Sequence, residues 1–223
     1  MFRDGVVLVD PFSAPILLHE QIVPARVDAL VREWSQSAVQ ETPITVLVDG
    51  ALPPGLIVAD GHHRYAAARQ LAALRGARLA MAARFFDEGA TILPAHRVIR
   101  RMPVWWKVPL SPGDGPLALH TRDGRVQKYD CTGLSAVDQL RRLVCLECEW
   151  TLEGDETKAL AELSAGRAEA VLLVPALTMD DVLSAARSGQ LLPPRSTNFQ
   201  PKPPESSIRF ELTDASSNVA ISS

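Results

Sequence analysis

Val27, Leu30, Val31 and Trp34 recur at the i, i+3, i+4, i+7 spacing of one helical face. Pro24 stands where a first helical turn tolerates it, so the spacing predicts a helix over 24–36. The period then changes. "ITVLV" (44–48) and "LIV" (56–58) are apolar, largely β-branched runs separated by Asp49-Gly50 and Pro53-Pro54-Gly55, which reads as two strands with a turn-rich connection. From His62 onward Ala67, Leu71 and Leu74 return to helical spacing as far as Gly76, a natural C-cap, and "LAMAARFF" (79–86) is strand-like again.

Beyond the loop at Asp87 to Ala90 comes "ILPAHRVI" (92–99), followed by "RMPVWWKVPLSPGDGP" (101–116), which has no clean period and marks a lobe boundary. Past it, Asp123-Gly124 lies between two alternating arms, a strong short-range hairpin signal. A helix from about Ser135 to Cys145, another ending at Gly166, a strand over 168–174 and a helix from Thr178 to Gly189 complete the pattern. The expectation is an α/β (α+β) protein: a first lobe over 1–103, a second, smaller α/β lobe over 104–212 that completes a cleft, and a disordered tail over 213–223.

Composition narrows the function classes. With 223 residues, 47% hydrophobic and 22% charged, a real core is available. A formal net charge of −3 without a dense Lys/Arg cluster argues against a nucleic-acid surface and leaves a small anionic ligand open. "MFRDGVVLVDPF" lacks a basic leader, and no window approaches the roughly 18 apolar residues of a membrane span, so a cytoplasmic protein without membrane partners is expected. Three cysteines, Cys131, Cys145 and Cys148, fit a reducing compartment. Cys145 and Cys148 spell C-x-x-C, but no second pair accompanies them, and buried thiols are expected.

Candidate chemistry concentrates in "LIVADGHHRYAAARQL" (56–71), at a strand-to-helix junction. A helix N-terminus offers unsatisfied N–H groups and the positive end of the macrodipole, which suits phosphate. Gly61 allows close backbone approach, His62 and His63 carry ring donors, and Arg64 has a planar fork for phosphate oxygens. The bland alternative is that Asp60 caps the helix and the histidines are partly buried bystanders. A zinc site from Asp60, His62 and His63 is disfavoured, because adjacent helical residues project about 100° apart. Magnesium carried by a nucleotide needs only one or two carboxylates, and Asp60 could supply one.

"VADGHHRYAAA" resembles the D-G-H-H-R signature of the ParB/sulfiredoxin-like superfamily. "LLHEQIVPARVDAL" (17–30), "ILPAHRVI" (92–99) and "AVLLVPALTMDDVLSAARSGQLLPPRSTNFQPKPP" (170–204) resemble, in order, segments of the domain of unknown function family numbered 1015, which is related to free serine kinases. The resemblance implies a ParB/sulfiredoxin-like first lobe that binds ATP or ADP with Mg²⁺ through Gly61, His62, His63 and Arg64. It also implies phosphoryl transfer to a small hydroxyl metabolite such as free L-serine. Glu20 would then be the general base on the acceptor hydroxyl, with Asp60 the second catalytic residue and metal ligand. Arg195, Ser196, Thr197 and Asn198 would contact the acceptor.

One departure matters. Serine kinases commonly carry Thr-Arg-His after the prolines of the C-terminal motif, whereas this chain reads Thr197-Asn198-Phe199, so a cationic carboxylate clamp is missing there. Poor use of serine is expected unless Arg195, Arg97 or Lys202 compensates, with the Phe199 ring providing apolar contact. The alternative from another class is a nucleotide-binding regulatory module without turnover, which would need Arg64 but not Glu20. A ParB-like DNA-partition role is disfavoured, because neither a helix-turn-helix pattern nor a basic recognition helix is found. The oligomeric state is not fixed by the sequence.

Overall fold

The computed structural model describes residues 7–11, 16–49, 55–86, 90–103, 107–143, 149–202 and 210–212. It is mixed α+β, and its contacts divide the chain into two units. The first comprises 1–90, 183–194 and 201–223, and the second 91–182 and 195–200.

In the first unit a five-stranded sheet has the order β1 (Val7–Val9), β6 (Met81–Phe86), β4 (Ile44–Asp49), β5 (Gly55–Asp60), β2 (Ile16–Leu17). Helices α1 (Pro24–Ser37) and α2 (His62–Arg75) pack on it, α1 through residues its spacing predicts and α2 through Ala67 and Leu71 of its predicted set. Val27, Val31 and Trp34 of α1 are buried, as are Tyr65, Ala68, Leu71 and Ala72 of α2, against Ile44, Val46, Val58 and Met81 of the sheet. Leu74, expected on the buried stripe, is 69% exposed, because that stripe runs instead through Tyr65, Ala68 and Ala72. Gly76 ends α2 at φ 61°, the left-handed conformation that glycine takes without penalty.

Two short strands unforeseen in the sequence, β3 (Val39–Gln40) and β14 (Phe210–Glu211), pair antiparallel, and the Leu212 amide donates to the Ala38 carbonyl at 2.8 Å. Gln40 is fully buried and imitates a strand. Its Nε2 donates to the carbonyls of Ala82 (3.0 Å) and Thr42 (2.9 Å), and its Oε1 accepts the Ala82 amide at 2.8 Å. An otherwise orphaned amide group is thereby satisfied in the core.

The second unit holds an antiparallel sheet in the order β10 (Val126–Lys128), β9 (Ala118–Thr121), β12 (Ala170–Leu173), β8 (His96–Arg101), β11 (Glu149–Glu153). Helix α4 (Glu156–Ser164) covers one face, burying Ala159 against Val98, Ala118, Val171 and Leu173. Helix α3 (Ala136–Arg142) is capped by Ser135, whose Oγ accepts the Asp138 amide at 3.1 Å. β7 (Thr91–Leu93) pairs with β13 (Asn198–Gln200). The division falls at residue 90 where the sequence pattern suggests 103, because β8 is the partner of β11 and β12. The hairpin at Asp123-Gly124 forms with three loop residues instead of two: Thr121 N–H closes on Arg125 O at 2.9 Å and Gly124 takes φ 82°. Helix α5 (Met179–Ser188) follows Thr178 as expected. Cys131 is a buried free thiol, whereas Cys145, Cys148 and the tail at 213–223 lie outside the described residues.

Candidate functional site

The junction of β5 and α2 is built around Gly61, whose φ of 95° L-residues rarely adopt. A Cβ there would stand 2.8 Å from Ile44 Cγ2 and 2.9 Å from Arg64 Nε and Nη2. Only glycine lets the guanidinium fold back over the chain. No side chain caps α2, and its first intrahelical bond runs from the Tyr65 amide to the Gly61 carbonyl at 2.9 Å. The amides of His62, His63 and Arg64 therefore have no acceptor within the helix.

Asp60 is not the helix cap. Its carboxylate accepts from Arg64 Nη2 at 2.9 Å, one helical turn on, with the aspartate side chain 53% and the arginine 23% exposed. Such a half-exposed pair is worth at most about 1 kcal/mol and can exchange with a competing anion. Arg64 Nε, by contrast, is buried with no hydrogen-bond partner among the described residues. A buried unsatisfied donor costs about 1–3 kcal/mol. It is the kind of defect that an arriving acceptor would relieve.

The two histidines behave differently from each other. His62 is buried, with Nε2 3.1 Å from Nδ1 of His19 and the rings nearly perpendicular at a centroid distance of 4.4 Å. Burial pushes the His62 pKa from 6.5 down to about 4 against the pull of Asp60. Burial, helped by His62, brings His19 down to about 3 against the opposing pull of Glu20. Both rings are neutral at physiological pH, one donating to the other. His63 Nε2 accepts the Val23 amide at 2.9 Å, so a side chain from α2 caps α1, which has no cap of its own. Neither His62 Nε2 nor His63 Nε2 is open to a ligand.

Glu20 is 7% exposed, just ahead of α1. Its segment is held parallel to Leu192: the Leu192 amide donates to the His19 carbonyl (2.7 Å) and the Gln21 amide to the Leu192 carbonyl (2.8 Å). Glu20 Oε1 lies 3.8 Å from His19 Nε2, a contact with a neutral ring. The first unit thus gathers Glu20, Asp60, Gly61, His62, His63 and Arg64, and adds His19, which the sequence reading passed over. Its only signal there was a histidine placed in an apolar run.

Arg195, Ser196, Thr197 and Asn198 belong to the second unit. Arg195 is exposed with φ 59°, its guanidinium carbon 5.4 Å from the Trp150 ring centre, and Ser196 is buried. A Cβ on Gly154 would meet Asn198 Nδ2 at 2.6 Å, so the strand end and β13 approach closely there. Phe199 is 4% exposed, turned inward between Asn198 and Gln200, and is closed to a substrate. Among the described residues no three His, Cys, Asp or Glu side chains cluster as a metal site. A single carboxylate, Asp60, still fits magnesium that arrives with a nucleotide, since that ion takes most of its ligands from phosphate and water.

Residues 38–105 match the model of a family described as "Protein of unknown function (DUF1015)". No curated protein matches the chain in sequence. Among solved structures the fold is shared with a free serine kinase in complex with AMP, at 14% identity over 87% of this chain and 86% of that chain, with a TM-score of 0.66. A mutant of free serine kinase in complex with ADP gives 16% identity over 87% of each chain and a TM-score of 0.64. SbnI with C-terminal truncation, from Staphylococcus aureus, gives 19% identity over 87% of this chain and 82% of that chain, with a TM-score of 0.63. The resemblance to family 1015 is borne out by the family model over 38–105, which contains the D-G-H-H-R stretch, and the fold is shared with free serine kinase; the P-P-R-S-T-N-F stretch lies outside the matched residues.

Proposed function

We propose that this chain, which carries a DUF1015 segment on the fold of the free serine kinases, is a nucleotide-dependent small-molecule kinase that moves a phosphoryl group from ATP or ADP to the hydroxyl of a small metabolite, free L-serine foremost. One observation carries the reading: a helix start with no side-chain cap among the described residues lies behind Gly61, and over it is folded an arginine whose buried Nε lacks an acceptor among those residues. Phosphate oxygens would accept from the His62, His63 and Arg64 amides and from the Arg64 fork. In doing so they would displace Asp60 from Arg64. Asp60 would then be the carboxylate available to a nucleotide-borne Mg²⁺, which offsets charge on the phosphates when bound.

Glu20 takes the acceptor proton. As the hydroxyl oxygen bonds to phosphorus and the bond to the leaving nucleotide oxygen breaks, that proton passes to the Glu20 carboxylate. Acceptor contacts are assigned to Arg195, Ser196, Thr197 and Asn198 of the second unit. The exchangeable Asp60–Arg64 pair also gives a second reading its footing, a nucleotide-responsive module that binds without turnover.

Purified protein incubated with Mg²⁺, ATP or ADP and a panel of hydroxy amino acids should yield a phosphorylated product by mass spectrometry. Glu20→Gln should lower its rate by about 10²–10⁴-fold, the scale for a positioned general base, while nucleotide affinity holds. Nucleotide binding with no product from any acceptor would favour the regulatory module.

A further inference from the structure

Two adjacent histidines of α2 reach one segment of the chain at two points. His62 and His63 open the helix, and neighbouring helical residues project about 100° apart, so their rings diverge and can bracket a chain that crosses the helix start. His62 Nε2 lies 3.1 Å from His19 Nδ1, and His63 Nε2 accepts the Val23 amide at 2.9 Å. Glu20 stands between those two anchors in the chain. We propose that the rings of His62 and His63 are positioning residues for Glu20, holding its segment against the first turn of α2, and that neither ring is a phosphate ligand. What Glu20 does rests on the kinase reading; where it is held does not.

The start of α1 cannot fix itself. Its N-cap is Val23, whose side chain has no acceptor to offer, and its first turn carries no acidic residue. The anchor for the Val23 amide comes instead from α2, and that bond requires a bare Nε2 on His63, with the ring proton on Nδ1. On another side Leu192 accepts the Gln21 amide at 2.8 Å and donates its own amide to the His19 carbonyl at 2.7 Å. Glu20 itself is buried, so the placement of its carboxylate follows the backbone on either side of it.

The first turn of α2 thus has two jobs, divided between different atoms of the same residues. The amides of His62, His63 and Arg64 have no acceptor within the helix and are assigned to phosphate, while the rings of His62 and His63 engage the segment that carries Glu20. The link from cradle to base is a ring and one contact on each side. Displacing a reacting group by about 1 Å can cost about 10²-fold in rate, so loss of one anchor should appear in turnover and leave nucleotide affinity alone.

His63 is half-buried, so its variants should fold, and it carries the test. His63→Leu removes the acceptor, His63→Gln keeps one at the place of Nε2, and His63→Asn offers one only at the place of Nδ1. Each is compared with wild type by residue-resolved amide exchange, by Mg²⁺-ADP calorimetry, and by kinetics with the best acceptor in wild-type and Glu20→Gln backgrounds. His63→Leu and His63→Asn should speed exchange of the Val23 and Gln21 amides at least tenfold, with the Tyr65 amide, bonded to Gly61 within α2, changed less than twofold. Their kcat should fall about 10–100-fold with ADP affinity within twofold, and His63→Gln should recover both kcat and exchange. In the Glu20→Gln background His63→Leu should lower the rate by less than a further twofold, because it acts through the carboxylate already removed. The positioning role is overturned if Val23 and Gln21 exchange as in wild type, if Tyr65 is loosened with them, if ADP affinity falls with the ring, or if the losses of His63 and Glu20 multiply. Should the leucine variant not fold, the contrast between His63→Gln and His63→Asn decides. With no product from wild type the kinase reading falls, and the exchange pattern by itself upholds or overturns the anchor.

Discussion

Mild acid should destabilise this protein through one pair of rings. His19 and His62 are buried side by side and held neutral, with pKa values pushed from 6.5 to about 3 and about 4. In the unfolded chain both take up protons near pH 6.5. Their contribution to stability is thus complete above that pH, and it is lost progressively as pH falls from 6.5 towards the folded values. Between pH 7 and 5 each ring costs about 2 kcal/mol, and the pair roughly 4 kcal/mol, a figure that depends little on how far below 5 the folded values lie. Against a typical total of about 5–15 kcal/mol that is a large share.

The window isolates the pair. Glu162, whose pKa is held down to about 2 by Arg167 and Arg100, acts only below the ordinary carboxylate value of 4.5. His96, lowered chiefly by burial, acts with the same sign and is common to both proteins compared. Urea unfolding followed by tryptophan fluorescence at pH 7.0, 6.0 and 5.0 should show wild type losing about 4 kcal/mol more than a His19→Asn/His62→Gln double variant. Parallel pH slopes in the two proteins would refute the reasoning. Lower stability of the variant at pH 7 alone would not, because the slope is what is compared.

Arg64→Ala should weaken Mg²⁺-ADP binding by 1.5–3 kcal/mol, about 10–150-fold by calorimetry, while stability falls by less than about 1 kcal/mol because its pair with Asp60 is half exposed. Unchanged affinity in the folded variant would remove the phosphate cradle. Gln40→Leu strips the Ala82 amide and carbonyl of their partner in the core and should cost about 2–5 kcal/mol in urea, with a loss below 1 kcal/mol showing that Ala82 finds other partners.

The helices were legible because each advertises a periodic apolar face and a stop: Val27, Val31 and Trp34 bury as spaced, and Gly76 ends α2 where expected. The same holds for the β5–α2 junction, whose residues are contiguous. Pairing across the chain was not legible. β11, on the sheet edge, alternates polar and apolar strictly in "EWTLE" and so carries a strand signal, but nothing in that pattern names β8 as its partner. His62 reads as a ligand until His19, 43 positions earlier, is found against its ring. Nor does spacing say that His63 serves the amide of Val23 or that Arg97 and Arg195 share Trp150. Each of these depends on contacts between segments far apart in sequence, which propensity and period do not encode.

The discontinuity of the first unit sets an order of assembly during synthesis. Its sheet and helices are encoded by residue 90, but the amides of Leu192 and Leu212 that bond to His19 and Ala38 come much later. At bacterial or eukaryotic elongation rates of about 5–20 residues per second, the stretch from Ala90 to Leu212 takes roughly 6–25 s to make. The second unit, continuous over 91–182 apart from 195–200, is complete before the first. The nascent first unit meanwhile holds the segment that carries Glu20 without its ties to Leu192, so that segment is fixed in place only after residue 192 has been made.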